Sequence, residues 1–411
     1  MKPLFLCAAL AVIAMSPPLS AEPLTFDAAL AKALANAPSL QARRLGADAS
    51  RAARGAAGAL PDPKLSVGVD SFPVSGPLAF QPSRDDFSGA RVGVSQDFPN
   101  LAKRHALQAR ADSDVTAADA EVAVQARTVE VETAIAWITL AYAERRLAAL
   151  DDIRARLAKL VGTTPSAVAA GAARPAQVLA GRQAIAALDD RRDELVSAVV
   201  RARADLVRWT GDASASAIGA VPDLAVDDAQ LHAALDSNPA LATIAARVTQ
   251  ADADVRLAQA QRRPDFGVDV SYQRRDPRFG DYISAGVTIG LPLFKRYRQE
   301  PLIAARLADA ARVRAEREDA ARRLTAALDA ALADHAMHHA QWMRSRETVE
   351  PLARQRVDLD TASYGAGRAS LVDVVEAHSA LADATLTTLD REALVMIDGA
   401  RLTLTYRSTA R

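Results

Sequence analysis

Four short stretches of the chain alternate strictly between apolar and polar positions. Leu65, Val67 and Val69 oppose Ser66, Gly68 and Asp70, and Val92 and Val94 lead on to Phe98-Pro99. Phe266, Val268, Val270 and Tyr272 oppose Gly267, Asp269 and Ser271; Ile283, Ala285, Val287, Ile289 and Leu291 oppose Ser284, Gly286, Thr288 and Gly290. A period of two is a strand with two different faces. It predicts strands at about 64–72, 87–98, 265–273 and 282–292. Apolar-out, polar-in alternation over about ten residues is the pattern of a membrane barrel around a wet lumen. A half-buried sheet in a soluble protein gives the same alternation. Small polar residues on one face, suited to lining a space, favour the barrel. So does the setting of the strands, as two pairs between helices too long to cover a sheet.

Between the strands the period changes. Val115, Val122, Val129 and Ala136 stand seven apart, as do Leu140 and Leu147, Leu150 and Leu157, and Ile153 and Leu160. Sevenfold spacing sustained over several turns predicts coiled-coil packing, and alanine between the seams lets neighbouring helices approach closely. The segment from about 100 to 162 is roughly 60 residues, hence about 90 Å of helix, too long for a compact domain. A second long helix is expected from about 299 to 363, with shorter partners at about 174–209 and 369–406. Each pair forms an antiparallel hairpin, turning at Gly162 to Pro175 and at Tyr364 to Arg368.

The order of elements occurs twice. Leu60-Pro-Asp-Pro63, two alternating stretches, Lys103-Arg104 and a long Ala-rich helix are answered by Arg263-Pro-Asp265, two alternating stretches, Lys295-Arg296 and another such helix. Gly171-Ala-Ala-Arg174-Pro175 is answered by Gly365-Ala-Gly-Arg368-Ala369. A period near 200 residues marks a duplicated module, since solenoid units run to roughly 20–50. The expected organisation is residues 1–21 as a signal peptide, 22–220 as a first repeat and 221–411 as a second. Four strands cannot close a barrel, because the smallest membrane barrels use eight, and open edges are not left in hydrocarbon. A membrane barrel therefore brings oligomerisation with it.

Composition narrows the function. Lys+Arg and Asp+Glu both number 50, so no net charge recruits nucleic acid. Aromatics are only 4% of the chain. Lys2, an apolar run from Leu4 to Met15 and the small residues of Ser16-Pro-Pro-Leu-Ser-Ala21 read as an export signal, with Glu22 as the mature start. The one cysteine, Cys7, lies inside it, so the mature chain has no thiol for disulfide, metal or nucleophile chemistry. No GxSxG, HExxH, CxxC or phosphate-cradling glycine loop is present, and neither an enzyme nor a cofactor is expected.

Two clusters carry charge or ligand chemistry. Asp373 and Glu376 share a helix face just past the second turn, where acids near a helix N-terminus are favoured in any case. His335 and His339, spaced i and i+4, together with His338 are candidate zinc or copper ligands, although no neighbouring acid or cysteine in sequence completes a site. No metal ligand is assigned on that basis.

The duplicated strand-pair and helix-hairpin order, export, and the glycine-arginine turn before Leu371-Val-Asp373-Val-Val-Glu376-Ala resemble the TolC-like outer-membrane efflux proteins, over roughly 25–406. Leu60-Pro-Asp-Pro-Lys64 and Val94-Ser-Gln-Asp-Phe-Pro-Asn100 are similar to the heavy-metal-efflux branch. The resemblance implies an α+β membrane protein of a Gram-negative outer membrane. In it a homotrimer gives four strands per chain to one β-barrel, continuous with a periplasmic α-helical coiled-coil barrel. It implies a passive duct in a tripartite efflux system, with a periplasmic adaptor, an inner-membrane transporter and the lipid bilayer as partners. Asp373 and Glu376 then become the gate, and Gly171, Arg174, Pro175, Tyr364, Gly365, Gly367 and Arg368 the adaptor-docking tips. In the first repeat Gln177 stands where some members have an acid. Two other classes remain open: a secreted periplasmic coiled-coil scaffold or adaptor without a barrel, and a periplasmic metal-binding protein resting on the histidines.

Overall fold

The computed structural model describes residues 24–163, 175–213, 216–217, 219–222 and 224–407. The signal stretch 1–21 and the tip residues Gly171 and Arg174 lie outside them. Helices α1 (Phe26–Asn36) and α2 (Pro38–Ala56) precede strands β1 (Lys64–Asp70) and β2 (Gly89–Phe98). Helices α3 (Leu101–Gly162), α4 (Pro175–Thr210), α5 (Asp228–Ala234) and α6 (Pro239–Ala260) follow, then β3 (Asp265–Arg274) and β4 (Tyr282–Gly290). Helices α7 (Gln299–Arg344), α8 (Glu350–Gly365) and α9 (Leu371–Tyr406) complete the order. No described helix is long and apolar enough to cross a membrane.

The four strands form one antiparallel sheet in the order β1-β2-β3-β4, so β2 and β3 join the two halves of the sequence. Register confirms the two faces. Val67, Val92, Tyr272 and Ile283 lie in one row across the sheet, and Leu65, Val94, Val270 and Ala285 in the next. The opposite face carries Ser66, Gly93, Ser271 and Ser284 in a row, with Lys64–Asp97 (2.7 Å) and Arg91–Asp70 (3.1 Å) pairs nearby. Strand approach on that face is close: a Cβ on Gly93 would sit 2.8 Å from the Ser66 hydroxyl oxygen. Gln96 is the one polar break among the β2 positions facing the apolar side, and its amide donates to the carbonyls of Pro61 (2.7 Å) and Asp97 (2.9 Å).

By contacts the described chain falls into two compact units, each drawn from both halves of the sequence rather than from one repeat. One unit holds the sheet, α2, α5, α6, and the parts of α3, α7 and α9 that belong with them. Here Asn100 is the joint between strand and helix. Its side-chain oxygen caps α3 by accepting from the Lys103 N–H (2.9 Å), and its backbone and side-chain N–H groups donate to the Asp265 carboxylate (2.8 and 2.9 Å). Lys103 completes the joint with an ion pair to Asp265 at 3.2 Å. At the opposite end of the strands Arg275 gathers the β1–β2 and β3–β4 connections. It donates to the carbonyls of Gly280 (2.7 Å), Phe279 and Asp86, and lies 3.5 Å over the Tyr282 ring. The end of α9 is capped by Arg127, which donates to the carbonyls of Leu404 (2.9 Å), Thr405 (3.2 Å) and Arg407 (3.0 Å).

The other unit is helical. Leu150, Ile153, Leu157 and Val161 of α3 pack with Leu188 of α4 and with Leu371, Val375, Leu381 and Leu386 of α9. The sevenfold seam read from sequence is thus a buried one, with Leu150 and Leu157 fully enclosed. The balanced charges are spent along the helix edges: Arg154–Asp189, Arg192–Asp151 (2.7 Å) and Arg203–Glu144 (3.1 Å) tie α3 to α4, and Arg191–Asp383 and Arg146–Asp390 reach α9. Exposed pairs of this kind contribute about 0–1 kcal/mol each, so they set register more than stability. Trp137 is buried, edge-on to Phe26 at 5.6 Å, and its indole N–H donates to the Leu24 carbonyl (2.8 Å), fastening α1.

The long helix expected unbroken from about 299 to 363 is interrupted. Ser345–Val349 form a wider π turn. Pro351, which has no N–H to give, follows at the start of α8. Arg391 of α9 donates to the Gln341 carbonyl (3.3 Å) and to the Ser345 hydroxyl, holding the widened turn from the side.

Candidate functional site

The second turn and the start of α9 are built by their own backbone. Helix α8 closes on a left-handed glycine: Gly367 has φ 70°, its N–H donates to the Tyr364 carbonyl (2.9 Å), and the Arg368 N–H reaches back to Ser363 (2.8 Å). This paired bonding is the usual way a helix stops at glycine. Gly365 differs, since it is the last helical residue and a side chain there would meet open space. Gly365, Gly367 and Arg368 are exposed, while Tyr364 packs against the Leu371 cluster. Of the first-repeat tip, Pro175 opens α4.

Asp373 and Glu376 are both exposed, on the face of α9 opposite the buried Leu371, Val374, Val375 and Ala377. Asp373 has a local duty that its spacing from Ser370 encodes. Its carboxylate accepts from the Ser370 N–H and hydroxyl, both at 2.8 Å, and the Ser370 hydroxyl accepts from the Asp373 N–H at 3.3 Å. Such reciprocal bonding caps the helix start. The Ser370 N–H first, then its hydroxyl and the charge of Arg356, hold the Asp373 carboxyl below the usual carboxylate range, against partial desolvation. Ser370 was legible as a cap three residues before an acid, though the repeat pattern drew attention to the acids alone.

The histidines part company. His338 Nδ1 lies 2.6 Å from Asp398 Oδ2, an acid 60 residues further along the chain that local spacing could not reveal. His339 packs edge-on with Trp342 at 5.6 Å. Among the described residues no group of three or more His, Cys, Asp or Glu side chains is placed to hold a metal ion.

A carboxyl with a depressed pKa stabilises the fold above its unfolded value, and that contribution is lost as pH falls through the folded value. Asp373→Ala should therefore lower Tm at neutral pH, and the gap to wild type should close on acidification below the ordinary carboxylate range. Thermal unfolding of both proteins across acid pH checks this; a gap that stays constant would remove the charged cap from the account.

The comparisons place this geometry. Residues 230–405 match the family model described as outer membrane efflux protein. A search of curated protein sequences gave no match. Among solved structures the chain is similar to a membrane protein from Pseudomonas aeruginosa, with a TM-score of 0.80, 16% identity, and 93% of this chain and 92% of that one covered. It is also similar to the CmeC outer membrane channel of Campylobacter jejuni (TM-score 0.77, 12% identity, 94% and 87% covered). VceC, an outer membrane protein of Vibrio cholerae, gives a TM-score of 0.76 at 19% identity, with 94% and 97% covered. At such identities the structures speak for the fold alone. Residues 230–405 thus match the efflux-protein family model, and over more than nine-tenths of its length the chain shares the fold of solved outer membrane channels.

Proposed function

We propose that the chain is one third of a passive efflux duct: a homotrimer whose twelve strands close one barrel and whose helices form the tunnel that continues it. The observation that carries this reading is the bare apolar face of the sheet. Val67 is 74% exposed, Ile283 79% and Val287 68%, and no described helix of the same unit covers them. Such a face is unfavourable in water, and contiguous apolar patches of this kind mark contact with lipid or protein. The apolar positions that begin at Ile283 of β4 and continue to Leu291, one residue past its end, span roughly 27 Å at about 3.4 Å per residue. A barrel tilt near 40° reduces that to about 20 Å of membrane depth, close to the roughly 25 Å apolar band of such barrels. The unpaired outer edges of β1 and β4 supply the reason for a closed ring of copies.

In this reading substrates come from an inner-membrane transporter through a periplasmic adaptor, and heavy-metal cations or small toxic compounds are the cargo classes. The chain does no chemistry on them. A secreted scaffold without a barrel would have no use for an exposed apolar sheet face. The exposed turn at Gly365 to Arg368, with the first-repeat tip at Gly171, Arg174 and Pro175, is where an adaptor's helical hairpin would dock. Three copies of Asp373 and Glu376 would ring the mouth with carboxylates and favour cations.

Three measurements test the reading. Val268→Asp or Val287→Asp should abolish detergent-extractable trimers in outer membranes, whereas Ser284→Asp on the polar face should leave them. Ser284 serves better than Ser271, which is 5% exposed and packed beside Gly93. Equal tolerance on both faces would sink the barrel. Gly365→Trp places bulk in open space without disturbing the left-handed Gly367, so trimers should assemble and insert while export in cells stops; full export would move docking elsewhere. Finally, Asp373→Asn with Glu376→Gln removes charge yet leaves an oxygen for the Ser370 donors. Planar-bilayer conductance of that double variant should show weaker cation preference and weaker block by multivalent cations. Unchanged selectivity would leave Asp373 with its capping role alone.

A further inference from the structure

The Lys-Arg pair that follows the strands occurs in both repeats, but the structure spends the two copies differently. In the first, Lys103 is paired with Asp265 at 3.2 Å and the Arg104 guanidinium donates to the Gly58 carbonyl at 2.7 Å. Both cations serve the joint around Asn100. In the second, Lys295 and Arg296, with Arg298 two residues on, are exposed and have no carboxylate within ion-pair distance among the described residues. Further along, within α7, Arg312, Arg322 and Arg323 are by contrast each tied to an acid four residues away.

The same segment is apolar on its surface. Leu293, Phe294 and Tyr297 are 75%, 67% and 78% exposed. The segment is an ordered turn: the Tyr297 and Arg298 N–H groups donate to the Phe294 carbonyl (both 3.1 Å), and Gln299 and Glu300 donate to Lys295 (3.1 and 2.9 Å). It is also continuous with the apolar sheet face. Ile289 ends the apolar row of β4 and Leu291 continues its period, so the exposed side chains of the turn begin where that face stops.

Aromatic and aliphatic side chains followed at once by unneutralised cations match the boundary between hydrocarbon and headgroups. Aromatic rings sit at that level, and basic side chains meet the phosphates. We infer that Leu293, Phe294 and Tyr297, with Lys295, Arg296 and Arg298, form a binding site for the headgroup of an anionic phospholipid in the periplasm-facing leaflet. The inference rests on the barrel reading and adds to it a ligand class and a site. It also explains the divergence between repeats: the first copy of the pair stabilises a strand-helix joint, and the second grips the membrane.

The test uses the full mature chain reconstituted in vesicles of phosphatidylcholine alone, or of phosphatidylcholine with a minor fraction of phosphatidylglycerol. Native mass spectrometry of the released protein counts retained lipids. The wild type should retain phosphatidylglycerol over phosphatidylcholine, more so at low salt. Lys295→Gln/Arg296→Gln/Arg298→Gln should lower that retention by about tenfold, while Arg322→Gln, which removes a cation paired along α7, should not. Equal retention by wild type and triple variant would overturn the inference and leave the barrel standing. So would displacement of the lipid by inorganic phosphate, which would mark a free-anion site. Loss of the trimer in the triple variant with lipid retention unchanged would show that the cluster seats a neighbouring copy instead. Failure of the wild type to insert in either vesicle would overturn the barrel reading, and this inference with it.

Discussion

Backbone pairing between β2 and β3 turns two separate strand pairs into a single sheet with one apolar face and two open edges. Nine residue pairs link Ala90–Phe98 to Phe266–Arg274, and the rows on each face run across that seam without a slip. Because the side-chain period is two, a shift of one residue at this seam would turn the apolar set of one pair onto the polar face of the other. Everything the sheet is fitted for depends on that register: the lining of small polar residues, the close approach at Gly93, and the Asn100–Asp265 joint that delivers the chain into α3. The duplicated sequence therefore does not fold as two modules side by side. Each compact unit draws on both halves, and the strand seam is the hydrogen-bonded form of that sharing.

Much of this was legible because its signals are local and periodic. Alternation gave four strands whose observed limits differ from the expected ones by no more than two residues at either end, since a two-faced sheet leaves little freedom in which side chain points where. The sevenfold seam at Leu150 and Leu157 was equally readable, because a buried stripe on a long helix has to repeat. What escaped was set by partners distant in sequence. Asp398 reaches His338, Arg391 reaches Ser345, Arg275 reaches the β1–β2 connection, and Asp265 reaches Asn100; no spacing rule announces a contact across 46 to 189 residues. The tip at Tyr364 to Arg368 lay between these cases. Its glycines were visible as a pair, but only the backbone separates Gly367, needed for its left-handed φ, from Gly365, which the fold itself does not require.

The acids at the start of α9 show how a structural and a functional role can share one side chain. Asp373 would cap its helix whatever the protein did, and that duty keeps it ionised. A carboxylate held charged by its own helix is also one that keeps its charge when brought near others of like sign. Glu376 shares the face but takes no part in the bonds between Ser370 and Asp373.

The π turn at Ser345–Val349 has a consequence for phase. One residue too many in a regular helix rotates everything beyond it by about 100° and would carry an apolar stripe off its partner. A widened turn absorbs that surplus within a single coil and returns the helix to its former angular setting, so Ala353, Val357 and Tyr364 still meet the Leu371 cluster. Arg391, clasping the swollen coil, works like a pawl on a ratchet wheel, holding the extra tooth in place while the faces beyond it stay in step.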